Sequence, residues 1–190
     1  MNPFIHSYIG EYAPNGVSPV ISPLAFIAPG AAVVGDVQIG ADSGIWFGCS
    51  MRGDVNIIRI GERTNIQDGT VIHVTRKTGP THIGSNVTVG HSALLHACTV
   101  EDGSFIGMRA TLMDGVVVES GGWVAAGALV TPGKHIPSGE IWAGNPAKFF
   151  RKLTPEEIAF IPVSANNYVL HAREYLAMNL SYSQQSADVR

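Results

Sequence analysis

An aliphatic residue recurs at every sixth position along most of the chain, β-branched side chains dominate its apolar set, and glycines follow the repeat in phase. Together these predict an all-β solenoid: a left-handed parallel β-helix of hexapeptide repeats with a C-terminal α-helix. The repeat runs through Ile27, Val33, Ile39, Ile45 and Met51, resumes at Ile60, Ile66 and Ile72, and resumes again at Ile83, Val89 and Leu95. After one five-residue step it continues through Val100, Ile106, Leu112, Val118, Val124, Val130 and Ile136. A Gly directly follows the aliphatic residue at Gly40, Gly61, Gly84, Gly90 and Gly107, and a small or branched residue lies four places on, as at Ala31, Val37, Cys49, Val87 and Ala110. Each hexad is a short strand plus a turn, and three hexads close one triangular coil with the aliphatic residues stacked inside. The 17 Ile and 19 Val against 9 Leu fit that reading, because stiff β-branched side chains suit pleated surfaces.

Composition bounds the rest. The 190 residues carry a net charge of −3, 45% are hydrophobic and only 14% are charged, below the roughly 25% of an ordinary soluble domain. That favours one packed domain over 1–190, with the β-helix at about 10–150 and a helical segment at about 154–180 packed along it, and some surface buried between subunits. No stretch approaches roughly 18 apolar residues, so no membrane span is expected, and the N-terminus lacks the pattern of a secretory signal. Two cysteines, Cys49 and Cys98, are too few for a disulfide framework, so a reducing, cytoplasmic setting is expected. The absence of basic clusters argues against nucleic acid as a partner.

The period breaks near Val55–Arg59 and Val74–His82, so both segments are expected to bulge from the coil as loops, which are common carriers of function. Thr154-Pro155-Glu156-Glu157 supplies an N-cap, a Pro at the first helical position and a capping-box Glu. The spacing predicts a short helix ending before Pro162. A second helix, capped by Ser164, is predicted to carry Tyr168, His171, Ala172, Tyr175 and Leu176 on one face.

Three of seven histidines share a phase. His73 and His96 each directly follow an inward aliphatic residue, and His91 lies two after Val89, so all three should face outward on neighbouring coils. Neutral imidazole suits zinc, and three histidines that leave one position open to water make a catalytic zinc arrangement, in which the water ionises near neutral pH.

The stretches Arg52-Gly53-Asp54, Asn65 to His73 (N-I-Q-D-G-T-V-I-H) and Val89 to Cys98 (V-G-H-S-A-L-L-H-A-C) resemble the γ class of carbonic anhydrases, with similarity over about residues 10 to 178. The resemblance implies a zinc-dependent reversible hydration of carbon dioxide to bicarbonate, in a homotrimer with metal at the subunit interfaces. It assigns His73 and His96 to one subunit's side of the site and His91 to the neighbour's. Gln67 would orient the water or substrate, Arg52 and Asp68 match an interface ion pair with Asp54 in the same network, and Tyr168 resembles an active-site tyrosine. The metal it implies is Zn2+, with Fe2+ or Co2+ as alternatives.

The sequence departs from that family in its proton relay. Val55 follows Asp54, and the 74–82 segment holds Arg76 and Lys77 but no carboxylate, so slow turnover is expected. His82, with an ordinary imidazole pKa of about 6.5, is a candidate substitute shuttle. Alternative functions on this scaffold are an acyl-coenzyme A thioesterase, an acyltransferase, or a non-catalytic zinc-stabilised trimeric binding protein. The stretch from Gly144 to Lys148 is read as closing the solenoid, and Cys98 and the three tryptophans as packing groups.

Overall fold

The computed structural model describes residues 2–178. Over them the chain forms a left-handed β-helix of about seven turns followed by one C-terminal helix. The 18 aliphatic positions of the hexad stack in a single core, with Ile45, Ile66, Val89, Leu95 and Ile106 fully excluded from water. Small residues such as Ala31, Cys49, Ala93 and Ala110 fill the tight space near the corners. An 8-stranded sheet from Phe26–Ile27 to Ala147–Lys152 makes one prism face. A 12-stranded sheet wraps the other two, because the long strands Ala32–Ile39 and Ser50–Ile60 run round the corner between them.

Pairing between coils is parallel. The last two strands, Glu140–Gly144 and Ala147–Lys152, pair antiparallel, so the turn containing Asn145 and Pro146 does close the solenoid. Pairing also starts earlier than expected: Phe4–His6 already runs parallel to Ala32–Val34.

Both interruptions are narrower than the sequence indicates. Ile58 is fully buried opposite Val37 and Arg59 pairs with Gln38. The strand is therefore continuous, and its bulge lies between Gly53 and Ile58. In the second interruption Val74 is buried and Thr81–Ile83 forms a strand, so the protruding part is 75–80. Core burial reclaims residues that local composition assigns to loops.

The two predicted helices are one, Pro155–Ala177, here α1. Pro162 lies inside it and Ser164 is not a cap. Proline cannot donate to the helix ladder, an interior cost of about 3 kcal/mol. Even so, the buried face Ile161, Ala165, Val169 and Ala172 continues across it without loss of phase. Packing of that face on the 8-stranded sheet overrides the local preference. Tyr168, Tyr175 and Leu176 join Phe26, Trp46 and Phe47 beneath it, whereas His171 is exposed at the edge of the face. Residues 179–180, the end of the expected helical segment, lie outside the described residues.

The two cysteines are buried on separate coils. Cys49 donates to the Gln67 carbonyl at 3.1 Å, and burial pushes both thiols up to about 12. This fits Cys98 as a packing group.

Candidate metal centre and adjoining cleft

His73 ends the strand Val71–His73 and His96 ends Leu94–His96, and the two strands pair in register with His96 opposite His73. Because Ile72 and Leu95 point into the core, strand alternation turns both imidazoles outward. His73 Nδ1 lies 3.2 Å from His96 Nε2.

The far side of each ring is held by a carboxylate. His73 Nε2 donates to Asp54 Oδ1 at 3.1 Å, and His96 Nδ1 donates to Asp114 Oδ1 at 2.7 Å. Asp54 is bound in turn by Arg52, and Asp114 by the Thr75 hydroxyl. Gly53, between Arg52 and Asp54, lets this strand lie close against the coil before it: a Cβ there would meet the Asp36 carbonyl oxygen at 2.5 Å. Burial alone would raise the Asp54 carboxyl, but hydrogen bonds from Arg52 and His73 bring it below its ordinary value. The Thr75 hydrogen bond, with a further one from His96, lowers Asp114. Burial pushes the His73 imidazole down, against the Asp54 hydrogen bond, which raises it.

Carboxylates accept and do not donate, so each fixes a proton on the far nitrogen of its histidine. The two near nitrogens therefore face each other as lone pairs. Two ligands at 2.0–2.1 Å on a tetrahedral zinc stand about 3.3 Å apart, close to the 3.2 Å found here. The donor set fits a metal with imidazole preference. Among the described residues no third His, Cys, Asp or Glu joins the pair in metal-binding geometry.

His91 stands elsewhere, in the turn after Thr88–Val89, with Nδ1 2.9 Å from Asp68 Oδ2. Arg52 and Asp68 are thus not partners within the chain: Arg52 binds Asp54 and Asp68 binds His91. Gln67 is buried behind this corner and donates to Asn65 Oδ1 at 3.0 Å. Asn65 donates to Thr88 Oγ1 at 3.0 Å, and Thr88 shares a hydrogen bond with Ser164 of α1 at 3.0 Å. Tyr168 stands over Trp46; burial raises its hydroxyl pKa, with Asp68 adding to the effect.

Gln67, His91 and Tyr168 open onto a cleft of about 470 Å³ between α1 and the 8-stranded sheet, walled by Phe105, Met108, Trp123 and Phe160. The seven predicted site residues thus fall into two groups at opposite edges of one prism face. His73, His96 and Arg52 are at one edge, and Gln67, Asp68, His91 and Tyr168 are at the other. His82 belongs to neither. It points outward from Thr81–Ile83 on the next face, in register with Arg59 and Thr99, and lines a different groove.

Asp114 and Thr75 were missed by sequence reasoning. Asp114 lies one coil beyond His96, a spacing that could have flagged it. Thr75 sits in an out-of-period segment with no such signal.

No family model matches the chain. It is 59% identical over 167 residues to gamma carbonic anhydrase 1, mitochondrial, of Arabidopsis thaliana, covering 85% of this chain and 61% of that protein. The chain therefore spans about three fifths of that relative's length. It is 43% identical over 164 residues to protein YrdA of Escherichia coli K12, covering 83% and 89% of the two chains. It is 43% identical over 150 residues to a probable carbonic anhydrase of Methanocaldococcus jannaschii, covering 79% and 94%. Among solved structures, a hexapeptide transferase family protein from Anaplasma phagocytophilum superposes with TM-score 0.84 at 48% identity, over 90% of this chain and 98% of that one. A putative acetyltransferase of Bacillus cereus superposes with TM-score 0.87 at 35% identity, over 94% and 99%.

Proposed function

The chain belongs to the γ carbonic anhydrase family, and from that premise we propose that it hydrates carbon dioxide reversibly at zinc sites shared between the subunits of a homotrimer. The observation that carries this reading is the facing imidazole pair, with ring nitrogens 3.2 Å apart and each far nitrogen held by a carboxylate. Two lone pairs at that distance repel unless a cation sits between them. His91, the third histidine that the family resemblance supplies, is on the opposite edge of the same face, so a second copy is the natural source of the third imidazole. Exposed Val71 and Leu94 on the intervening strands give that face an apolar contact surface.

Bound zinc supplies the acidity that lets a water lose its proton near neutral pH; iron or cobalt would serve the same ligands. The chain's own residues do the rest. The Gln67 amide, fixed through Asn65 and Thr88, is placed to orient water or substrate, with Tyr168 beside it. The apolar cleft offers carbon dioxide a dry approach, and Arg52 holds Asp54 against His73. With no carboxylate in 75–80 and His82 on another face, proton export falls to buffer, and turnover is slow in weak buffer.

Stopped-flow hydration on zinc-quantified protein tests this reading beside His91→Ala. Activity should scale with zinc content and vanish in the variant, which should still fold. A zinc-loaded trimer without hydration overturns it.

A second reading is favoured by the cleft alone. Its volume of about 470 Å³ and its aromatic walls exceed what carbon dioxide requires, which suits an acyl-thioester hydrolase using the same ligands. Release of free coenzyme A from acyl-coenzyme A by the same preparations separates the two.

A further inference from the structure

The two interruptions of the hexad period are joined to each other. Asn56 Nδ2, in the first, donates to the Thr75 carbonyl at 3.1 Å. Thr75 and Gly79 exchange backbone hydrogen bonds, Thr75 N to Gly79 O at 2.8 Å and the reverse at 3.2 Å, which closes the second into a tight loop. The loop leans directly on the corner that follows His96: a Cβ on Gly79 would come within 2.6 Å of the Ala97 Cβ and 2.9 Å of the Thr75 Cβ. Only glycine permits that contact.

Backbone bonds tie the same region to the histidines, since Ala97 N donates to the His73 carbonyl at 3.2 Å and Thr81 Oγ1 to the same oxygen at 2.6 Å. The result is a frame that puts the Thr75 hydroxyl on Asp114, whose other oxygen accepts the His96 Nδ1 hydrogen.

We propose that Asp114 and Thr75 are positioning residues, and that the 75–80 excursion serves to hold His96 in the tautomer and orientation that leave Nε2 free toward His73. The proposal rests on the metal reading above. A regular hexad would put no hydroxyl beside Asp114. That carboxylate, whose side chain is 43% exposed, would then be free to rotate, and the His96 proton would distribute between both nitrogens. With Thr75 on one oxygen and His96 on the other, both are constrained. Outer partners that orient a ligating histidine are worth roughly 10- to 100-fold in metal affinity.

The test compares wild type with Asp114→Ala, Thr75→Val and Thr75→Ser by two readouts: zinc affinity in chelator competition, and the His96 tautomer from nitrogen NMR of metal-stripped protein. In D114A zinc affinity falls roughly 10- to 100-fold and His96 becomes a mixture of tautomers. T75V loses about fivefold, the size of one net hydrogen bond, T75S restores wild-type affinity, and D114A/T75V is no weaker than D114A because Thr75 acts through Asp114. D114A within twofold of wild type, or an unchanged tautomer, overturns the proposal. Should D114A fail to fold, the contrast between T75V and T75S decides, since neither change touches the core. A wild-type protein that takes up no zinc, yet keeps the His96 proton on Nδ1 in an Asp114-dependent way, refutes the metal reading and upholds the positioning role.

Discussion

Gln67 is 5% exposed, yet it borders the cleft, so its amide is held from inside and presented outward. One amide hydrogen is used on Asn65, and the side chain lines the cleft. Replacing it with Leu keeps the volume and removes the polar groups. In Gln67→Leu, hydration should fall roughly tenfold, as expected for one hydrogen bond made at the reacting centre. Zinc content should be unchanged, because Gln67 is not itself one of the proposed ligands. Equal loss of zinc and rate would show that Gln67 acts on the metal site and not on the substrate. The same corner shows what a sequence hides. Gln67 follows an inward residue and is legible as outward-facing, but the hydrogen-bond chain that fixes it runs through Asn65 and Thr88 to Ser164 of α1, more than ninety residues further along the chain.

At the scale of elements, α1 is anchored at its start by reciprocal hydrogen bonds between Thr154 and Glu157 and by a two-pronged contact from Arg151 to Glu157 at 2.7 and 2.8 Å. These hold the Glu157 carboxyl down to about 2, with Arg151 the larger cause and the Thr154 backbone the next. A carboxyl lower in the folded than in the unfolded chain stabilises the fold fully above the unfolded value, about 4.3. That contribution is lost as pH falls through the folded value. Glu157→Gln should therefore melt lower than wild type at pH 7, and the gap should narrow between about pH 4.3 and 2. A gap independent of pH would assign the effect to the cap geometry and not to the charge. The group is solvated, so the difference in melting temperature is expected to be small. Where α1 starts was legible from Thr154-Pro155-Glu156-Glu157, because capping is local chemistry. Its continuity through Pro162 was not, because the deciding force is burial against a sheet that no local window contains.

In the whole molecule, one prism face separates the two halves of the site, and Leu94 lies between them with its side chain exposed. A charge there should act on assembly and not on folding. Leu94→Glu is expected to run as a folded monomer in analytical ultracentrifugation and to lose zinc, although it touches no ligand. A trimeric, zinc-loaded L94E would place the subunit contact on another face. The hexad made the solenoid and the outward phase of His73 and His96 legible, since period and side-chain direction are properties of the chain alone. Asp114 and Thr75 were illegible because their meeting depends on how far each coil rises and where an out-of-period loop leans. That His91 belongs to a different subunit's side of the proposed site than His73 and His96 was implied by family resemblance, not by its spacing.

The buried, fully protonated thiols of Cys49 and Cys98 carry a consequence for the life of the molecule. A thiol held far from ionisation and out of contact with solvent is a poor target for oxidants and electrophiles. The two cysteines lie in different coils of one continuous stack. Alkylation of either therefore waits for its coils to part, and the pace of labelling is a built-in clock of how often each stretch of the column breathes.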